Sequence, residues 1–360
     1  MNRPLTRRNF LGLAGATAGG LALGRGRSVA ADSAGVQSRA AEADRLIARQ
    51  VRSGEVTAAA FLMREGAFEF ARAYGHAKID TPFLIASPTK PMTASAVMWL
   101  RERRQLALTD PVGKYLPQFK GDGREAVTIR HLLTHTSGLP DMLPENVELR
   151  RRHAPLGEFV AQTCRTKLLF RPGEKVSYQS MGILLAAEIV ERITRQPLRQ
   201  FLKAELFQPL KMNGTALGQL ADAIKIQVEH ADPPGGTPET ANWDWNSNWW
   251  RDFGAPWGGA HSTAADIAKL LHAFLHPTGM TLKKETARRM TSNQNTALDK
   301  PYGIGWAMTP NGFGHGGSTG TSCWADTAKD ATFVLLTSLP AKVSQKPIID
   351  PVSKAVRAAL

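Results

Sequence analysis

Cysteine is nearly absent from this 360-residue chain: Cys164 and Cys323 are the only two. Two thiols so far apart give neither a zinc-site spacing nor a disulfide framework. An oxidising compartment would permit one bridge, but two buried free thiols are the plainer expectation. Aromatic residues are scarce at 7%, and tyrosine occurs four times. The longest apolar stretch, Phe10 to Leu23, is rich in Gly and Ala and too short to span a bilayer. No block of Lys and Arg interleaves with aromatics, so the net charge of +14 does not point to nucleic acid. His131 and His135 stand four apart, as do His272 and His276. Neither pair has the glutamate of His-Glu-x-x-His, so no metal and no cofactor are expected. Internal repeats and low-complexity tracts are also missing.

What is there suits a folded protein of one large domain or two lobes, with 42% hydrophobic and 21% charged residues. The first thirty residues read as targeting rather than structure. Arg7-Arg8 precedes the Phe10 to Leu23 stretch, and Ser28-Val29-Ala30 supplies small residues for cleavage. This order resembles a twin-arginine export signal, which implies the twin-arginine machinery as a partner and a periplasmic or secreted product. No transmembrane anchor is expected after cleavage. Removing the five arginines of residues 1–30 leaves about +9 on the mature chain. Residues 31–44 are expected to be a flexible lead-in.

A helix is expected from Ala41 to Val51, then a hairpin of Val56 to Met63 and Phe68 to Ala73 around Arg64-Glu65-Gly66. Thr81 to Ala86 is an apolar, extended approach to a helix running from Ser87-Pro88 to about Arg104. The pattern stays mainly helical to about Trp257, broken at residues 120–123 and 232–236. Strands return at Gly303 to Met308, Thr319 to Ala325 and Ala331 to Thr337, and a helix from Pro351 closes the chain. The fold class is therefore α+β. Strands from both chain ends share an antiparallel sheet flanked by helices, and a mainly helical lobe lies between them. The α/β lobe is expected over about 45–86 and 258–360, and the helical lobe over about 87–257. A cleft between the lobes is the natural place for a small ligand.

Three short motifs carry chemistry. In Ser87-Pro88-Thr89-Lys90 the serine suits an N-cap, the proline suits the first turn, and Lys90 shares the face of Ser87. Burial beside the positive end of a helix disfavours an ammonium, and a neutral lysine can take a proton from serine. Tyr178-Gln179-Ser180 follows a turn and precedes an apolar helix. A tyrosine beside cations serves as a phenolate or as a proton relay. His315-Gly316-Gly317-Ser318 lies on or entering a strand, and its glycines admit a close backbone approach. The Ser318 N–H can then join that of Ser87 as an oxyanion hole.

In this order the motifs resemble the penicillin-recognising serine hydrolases: class C β-lactamases, DD-peptidases and the related family VIII esterases. His131 to Leu139, Phe170 to Gly173, Phe207 to Met212 and Gly258 to Thr263 extend the resemblance over about residues 45–340. The resemblance implies a β-lactamase/transpeptidase-like fold and an acyl-enzyme mechanism on an ester, amide or β-lactam carbonyl. It implies Ser87 as nucleophile and Lys90 with Tyr178 as general base. It also implies substrate binding by His315, Gly317, Ser318 and Ser180, with His315 meeting a substrate carboxylate or Tyr178. Ser180 stands where the lactamases carry asparagine and His315 where many relatives carry lysine, which favours esterase or peptidase activity. A penicillin-binding or peptidoglycan-recognising protein with little turnover remains the alternative, and a decayed envelope protein a third. Of Trp243, Trp245, Trp249, Trp250 and Trp257, about half or more are expected to pack a loop onto the core; the alternative is that one or two, Trp249 or Trp250, line an apolar acyl-binding wall.

Overall fold

The computed structural model describes residues 26–218, 220, 226–229 and 238–357. Arg7, Arg8 and the apolar stretch after them lie outside the described residues. The first helix, α1 (Gly26–Arg52), starts well before Ala41 and takes in the span expected as a lead-in. Its buried stripe is Val36, Ala40, Ala43 and Ile47, spaced for one helix face. Two of those four are alanines, so the stripe reads as a weak apolar pattern in the sequence.

Nine strands follow among the described residues: β1 (Ala58–Glu65), β2 (Phe68–Gly75), β3 (Phe83–Leu84), β4 (Ala216–Leu217), β5 (Ala260–Ser262), β6 (Ala307–Thr309), β7 (Gly312–Gly317), β8 (Thr321–Asp326) and β9 (Ala331–Thr337). The main sheet runs β2-β1-β9-β8-β7-β6, antiparallel throughout. β1 from the start of the chain pairs with β9 from its end, Phe61 opposite Leu335. A small second sheet runs β3-β5-β4.

Along β1, Ala59, Phe61 and Met63 join one buried cluster while Ala58, Ala60 and Leu62 join the other. Strand residues alternate sides, so this strand is covered on both faces and reads as a continuous apolar run. The first cluster contains α1 and α12 (Asp350–Arg357), through Ile47, Val352 and Val356. The second merges with the helices between β3 and β6. These are α2 (Thr89–Glu102), α3 (Ile129–Leu133), α4 (Asn146–Arg151), α5 (Leu156–Arg165), α6 (Met181–Thr194), α7 (Leu198–Leu202), α8 (Asn248–Phe253), α9 (Ala264–Leu275) and α10 (Lys284–Met290). A one-turn helix, α11 (Ala341–Ser344), follows β9.

The strand that His315-Gly316-Gly317 is expected to lie on or enter is β7, which begins at Gly312. Four of its six residues are glycine, and the spacing there suggests a bend. The structure explains the glycines sterically. A Cβ at Gly312 would sit 2.1 Å from the Ala325 carbonyl oxygen, and one at Gly314 would sit 2.4 Å from that of Cys323. Cys164 and Cys323 are both buried and free.

Candidate active site

Ser87 sits in the turn between β3 and α2. Ala86 just before it has φ 52, a left-handed conformation uncommon for a residue with a Cβ. The expected N-cap role of Ser87 is not what the structure has. Pro88 is the cap residue and no side chain caps the helix. The turn is instead tied by Thr89, whose N–H and hydroxyl both donate to the Ala86 carbonyl at 2.9 and 2.7 Å. The Ser87 hydroxyl is thereby left for Lys90, whose Nζ lies 3.2 Å away.

Lys90 is 1% exposed, and its Nζ also donates to the Trp257 carbonyl at 3.0 Å. Burial pushes the ammonium down to about 7, against a smaller upward pull from Asp141. Near neutral pH a large share of Lys90 is therefore an amine able to accept a proton.

Tyr178 lies over this pair, with Lys90 Nζ 4.6 Å from its ring centre. Its pKa is raised, first by desolvation and then, opposed by the Ser87 hydroxyl, by Asp141. The phenol is thus protonated at neutral pH. Of the two roles open from the sequence, proton relay fits and standing phenolate does not.

Behind Tyr178 lies a neutral layer that the sequence motifs do not announce. The His135 ring is 4.6 Å from that of Tyr178 and 4.4 Å from that of Tyr302. Its Nδ1 accepts the Gln179 N–H at 3.2 Å, so the neutral ring carries its proton on Nε2. His315 Nδ1 is 2.7 Å from the Gly316 carbonyl, which can only accept, so that nitrogen holds the proton. Its Nε2 then accepts from the Tyr302 hydroxyl at 3.1 Å. Burial, with Lys90 nearby, lowers His135 well below the ordinary range and His315 to about 3. Burial likewise raises the Tyr302 phenol.

This arrangement corrects the expectation for His315. The side chain is buried, both ring nitrogens are engaged, it is uncharged, and it does not line the cleft. It supports Tyr302 and stands 6.1 Å from the Tyr178 ring instead of offering a cation to a carboxylate.

The end of β7 is pinned against β3. The Thr319 hydroxyl donates to the Leu84 carbonyl at 2.5 Å, and a Cβ at Gly317 would sit 2.2 Å from the Ile85 oxygen. The contribution of Gly317 is therefore its missing side chain, which lets Ser318 reach the same cleft as Ser87. Ser180 also lines that cleft, but its hydroxyl donates to Asp141 Oδ1 at 2.6 Å. Asp141, which sequence reasoning passed over, is exposed there and brings a carboxylate within electrostatic reach of Lys90 and Tyr178.

The cleft holds about 350 Å³ and is walled by Trp245, Trp250, Trp257 and Met142. Trp249 is not part of the wall; it stacks on His153 at 5.0 Å. Trp243 is buried beneath, with the Arg150 guanidinium 5.3 Å from its ring and 4.5 Å from that of Trp250. Arg150 also borders the cleft, 4% exposed and donating to the Trp243 carbonyl at 3.1 Å. A larger open groove of about 680 Å³ is bordered by Arg101, Arg104 and Arg289, and no serine, cysteine or histidine lines it, whereas Ser87 lines the smaller cleft.

The His131 Nδ1 accepts the Thr128 N–H and closes a capping box on α3. His131 is thus explained as structural, while its neighbour on the same motif, His135, reaches the site.

A family model described as Beta-lactamase matches residues 43–351. Protein flp of Staphylococcus aureus (strain MW2) is 25% identical over 282 residues, covering 73% of this chain and 55% of that protein. The chain thus spans about half the length of the first curated relatives it matches. Among solved structures, EstCE1, a hydrolase with promiscuous acyltransferase activity, superposes with a TM-score of 0.72 at 20% identity, covering 89% of this chain and 99% of that one. The D-amino acid amidase of Ochrobactrum anthropi SV3, complexed with L-phenylalanine amide, gives the same TM-score, identity and coverage.

Proposed function

Because the chain belongs to the Beta-lactamase family and has a fold like that of its solved neighbours, we propose that it is a serine hydrolase that cleaves esters or amides through an acyl-enzyme on Ser87. Lys90 takes the hydroxyl proton as Ser87 Oγ attacks the carbonyl carbon. The Ser87 and Ser318 N–H groups receive the oxyanion. Tyr178, still protonated, relays a proton to the leaving group, and the same groups then activate water for deacylation. The observation that carries this reading is the Ser87–Lys90 contact of 3.2 Å with a buried, near-neutral amine.

The electrostatics argue against a substrate held by its carboxylate. His315 is neutral and turned away, and the Arg150 guanidinium is committed to Trp243 and Trp250. Uncharged esters and amides should outrun a chromogenic cephalosporin by at least about 100-fold in kcat/KM, and Ser87→Ala should abolish both reactions. A preference for the cephalosporin would defeat the substrate reading. Stable penicillin labelling without ester turnover would favour the binding-protein alternative.

Export is the second part of the proposal, supported by Arg7-Arg8 ahead of the Phe10 to Leu23 stretch. Fractionation of producing cells should find a shortened chain in the envelope or medium. Arg7→Lys with Arg8→Lys should hold the full-length chain in the cytoplasm, and unchanged fractionation would contradict the proposal.

A further inference from the structure

At the end of α2 farthest from Ser87 the surface gathers positive charge with little to balance it. Arg101 stands in the last turn of α2, Arg104 just beyond that helix, and Arg289 in the last turn of α10. All three border the open groove of about 680 Å³. None of their guanidinium groups donates a hydrogen bond or forms an ion pair among the described residues. The carboxylates along the groove do not serve them. Asp110 is held by Lys114 at 3.0 Å and by the Tyr115 hydroxyl at 2.6 Å, and Glu102 accepts the Lys283 N–H at 2.7 Å. Glu285, one turn before Arg289 on α10, makes no ion pair with it.

A basic residue in a last turn ordinarily answers the negative end of its own helix. That explains each arginine alone but not the group. A helix C-terminus carries roughly half a unit of negative charge, so a full positive charge more than offsets it and converging ends leave an excess. Arg130, in the last turn of α3, adds to that excess. Burial first, then the charges of Arg101 and Arg130, lower the Arg289 guanidinium, and no carboxylate pulls the other way. Like charges held within range of one another cost energy that a bound anion offsets. The donors also select the kind of anion, since they come from two helices and the turn after one of them. A planar carboxylate is matched by one guanidinium fork, whereas a phosphate offers three oxygens in different directions and more charge. The groove is far larger than one phosphate, and it shares no lining residue with the catalytic cleft. Arg101 lies eleven residues beyond Lys90 on α2, about 16 Å along the helix axis.

We propose that this groove is a second binding site, for a soluble phosphate-bearing chain, with Arg101, Arg104 and Arg289 holding its phosphates. The site is independent of the chemistry at Ser87, and a chain seated in it leaves the catalytic cleft open. A groove between the end of α2 and α10 suits a strand laid along it, while a flat bilayer meets only its rim.

Calorimetric titration of the purified full chain with tripolyphosphate at low salt tests this. Binding should be at least about tenfold tighter than that of tricarballylate, which carries three carboxylates instead, and should weaken as salt is raised. Arg101→Gln, Arg104→Gln and Arg289→Gln combined should weaken it about 30-fold or more. A charge-matched control at exposed positions outside the groove, Lys167→Gln with Lys342→Gln and Lys346→Gln, should change it less than about threefold. Thermal melts report whether both variants are folded. If the groove variant is not, the single exposed change Arg104→Gln carries the test, with an expected loss of about fivefold. Ester turnover should be the same with and without tripolyphosphate. No binding of tripolyphosphate, equal binding of tricarballylate, or equal losses in the groove and control variants overturns the inference. So does inhibition of ester turnover that persists in the groove variant, which would put the anion in the cleft. Capture by vesicles of phosphatidylcholine and phosphatidic acid, without binding of tripolyphosphate, overturns it in favour of a membrane surface. A chain that turns over no ester defeats the Ser87 reading alone, since the titration does not depend on it.

Discussion

At the scale of single residues, the chemistry depends on where Lys90 keeps its proton. Burial holds it at about 7 instead of its ordinary 10.5, so activity should rise with pH through a limb centred near 7. A kcat/KM profile on an uncharged ester measures this, and a limb set by His315 is not expected, since that ring is already neutral above about 3. The same shift makes a statement about stability. Between pH 7 and 10.5 the unfolded chain binds more protons at this residue than the folded one, so folding is favoured increasingly as pH rises through that window. Lys90→Met removes the penalty. Its melting temperature should exceed the parent's most clearly below pH 7, with the difference shrinking toward pH 10, while activity is lost. A gain that does not depend on pH would contradict the assignment of a buried, titrating amine.

At the scale of elements, β7 shows how backbone and site are coupled. Gly317 lies under the Ile85 carbonyl and next to Pro88, so its missing Cβ sets the separation between β7 and the nucleophile turn. Gly317→Ala should destabilise by about 2–3 kcal/mol and lower kcat/KM tenfold or more, because the strand must move away from Ser87. Thermal melts and ester kinetics check both, and a neutral outcome would mean the strand has slack that the 2.2 Å spacing denies. β7 is also where sequence reading was weakest. The hairpin of β1 and β2, the helix after Ser87 and the strand β9 are visible as apolar periodicity. β7 has little side-chain pattern to read, because it is shaped by neighbouring carbonyls rather than by its own composition. The motifs proposed as catalytic are legible for the opposite reason: few residue types suit the proposed chemistry of Ser87, Lys90 and Tyr178, and the fold brings those three side chains together. His135, Tyr302 and Asp141 were passed over. The first two are ordinary aromatic neighbours until the fold stacks them behind Tyr178, and Asp141 follows a proline in a loop with no periodicity. Tyrosine's scarcity was an available signal, since two of the four in the chain meet at this site.

At the scale of the whole molecule, the sheet is closed by strands from both ends of the chain, and α1 and α12 cover it on the side that carries Phe61 and Phe333. The helices that form the cleft lie on the other side, so packing beneath α12 and chemistry at Ser87 are separable. Val352 is fully buried against that outer layer. Val352→Ala should lower stability by about 2 kcal/mol and leave ester turnover at 25 °C nearly unchanged. A matching loss of activity in the folded variant would mean the two faces of the sheet are coupled. The central claim is nonetheless covalent and sits at one atom. Incubating the folded protein with a fluorophosphonate and mapping the adduct by peptide mass spectrometry tests it most directly. A single adduct on Ser87 is expected, formed faster as pH rises through about 7 and absent from Ser87→Ala; an adduct on another residue, or none on a folded protein, would rule out Ser87 as the nucleophile.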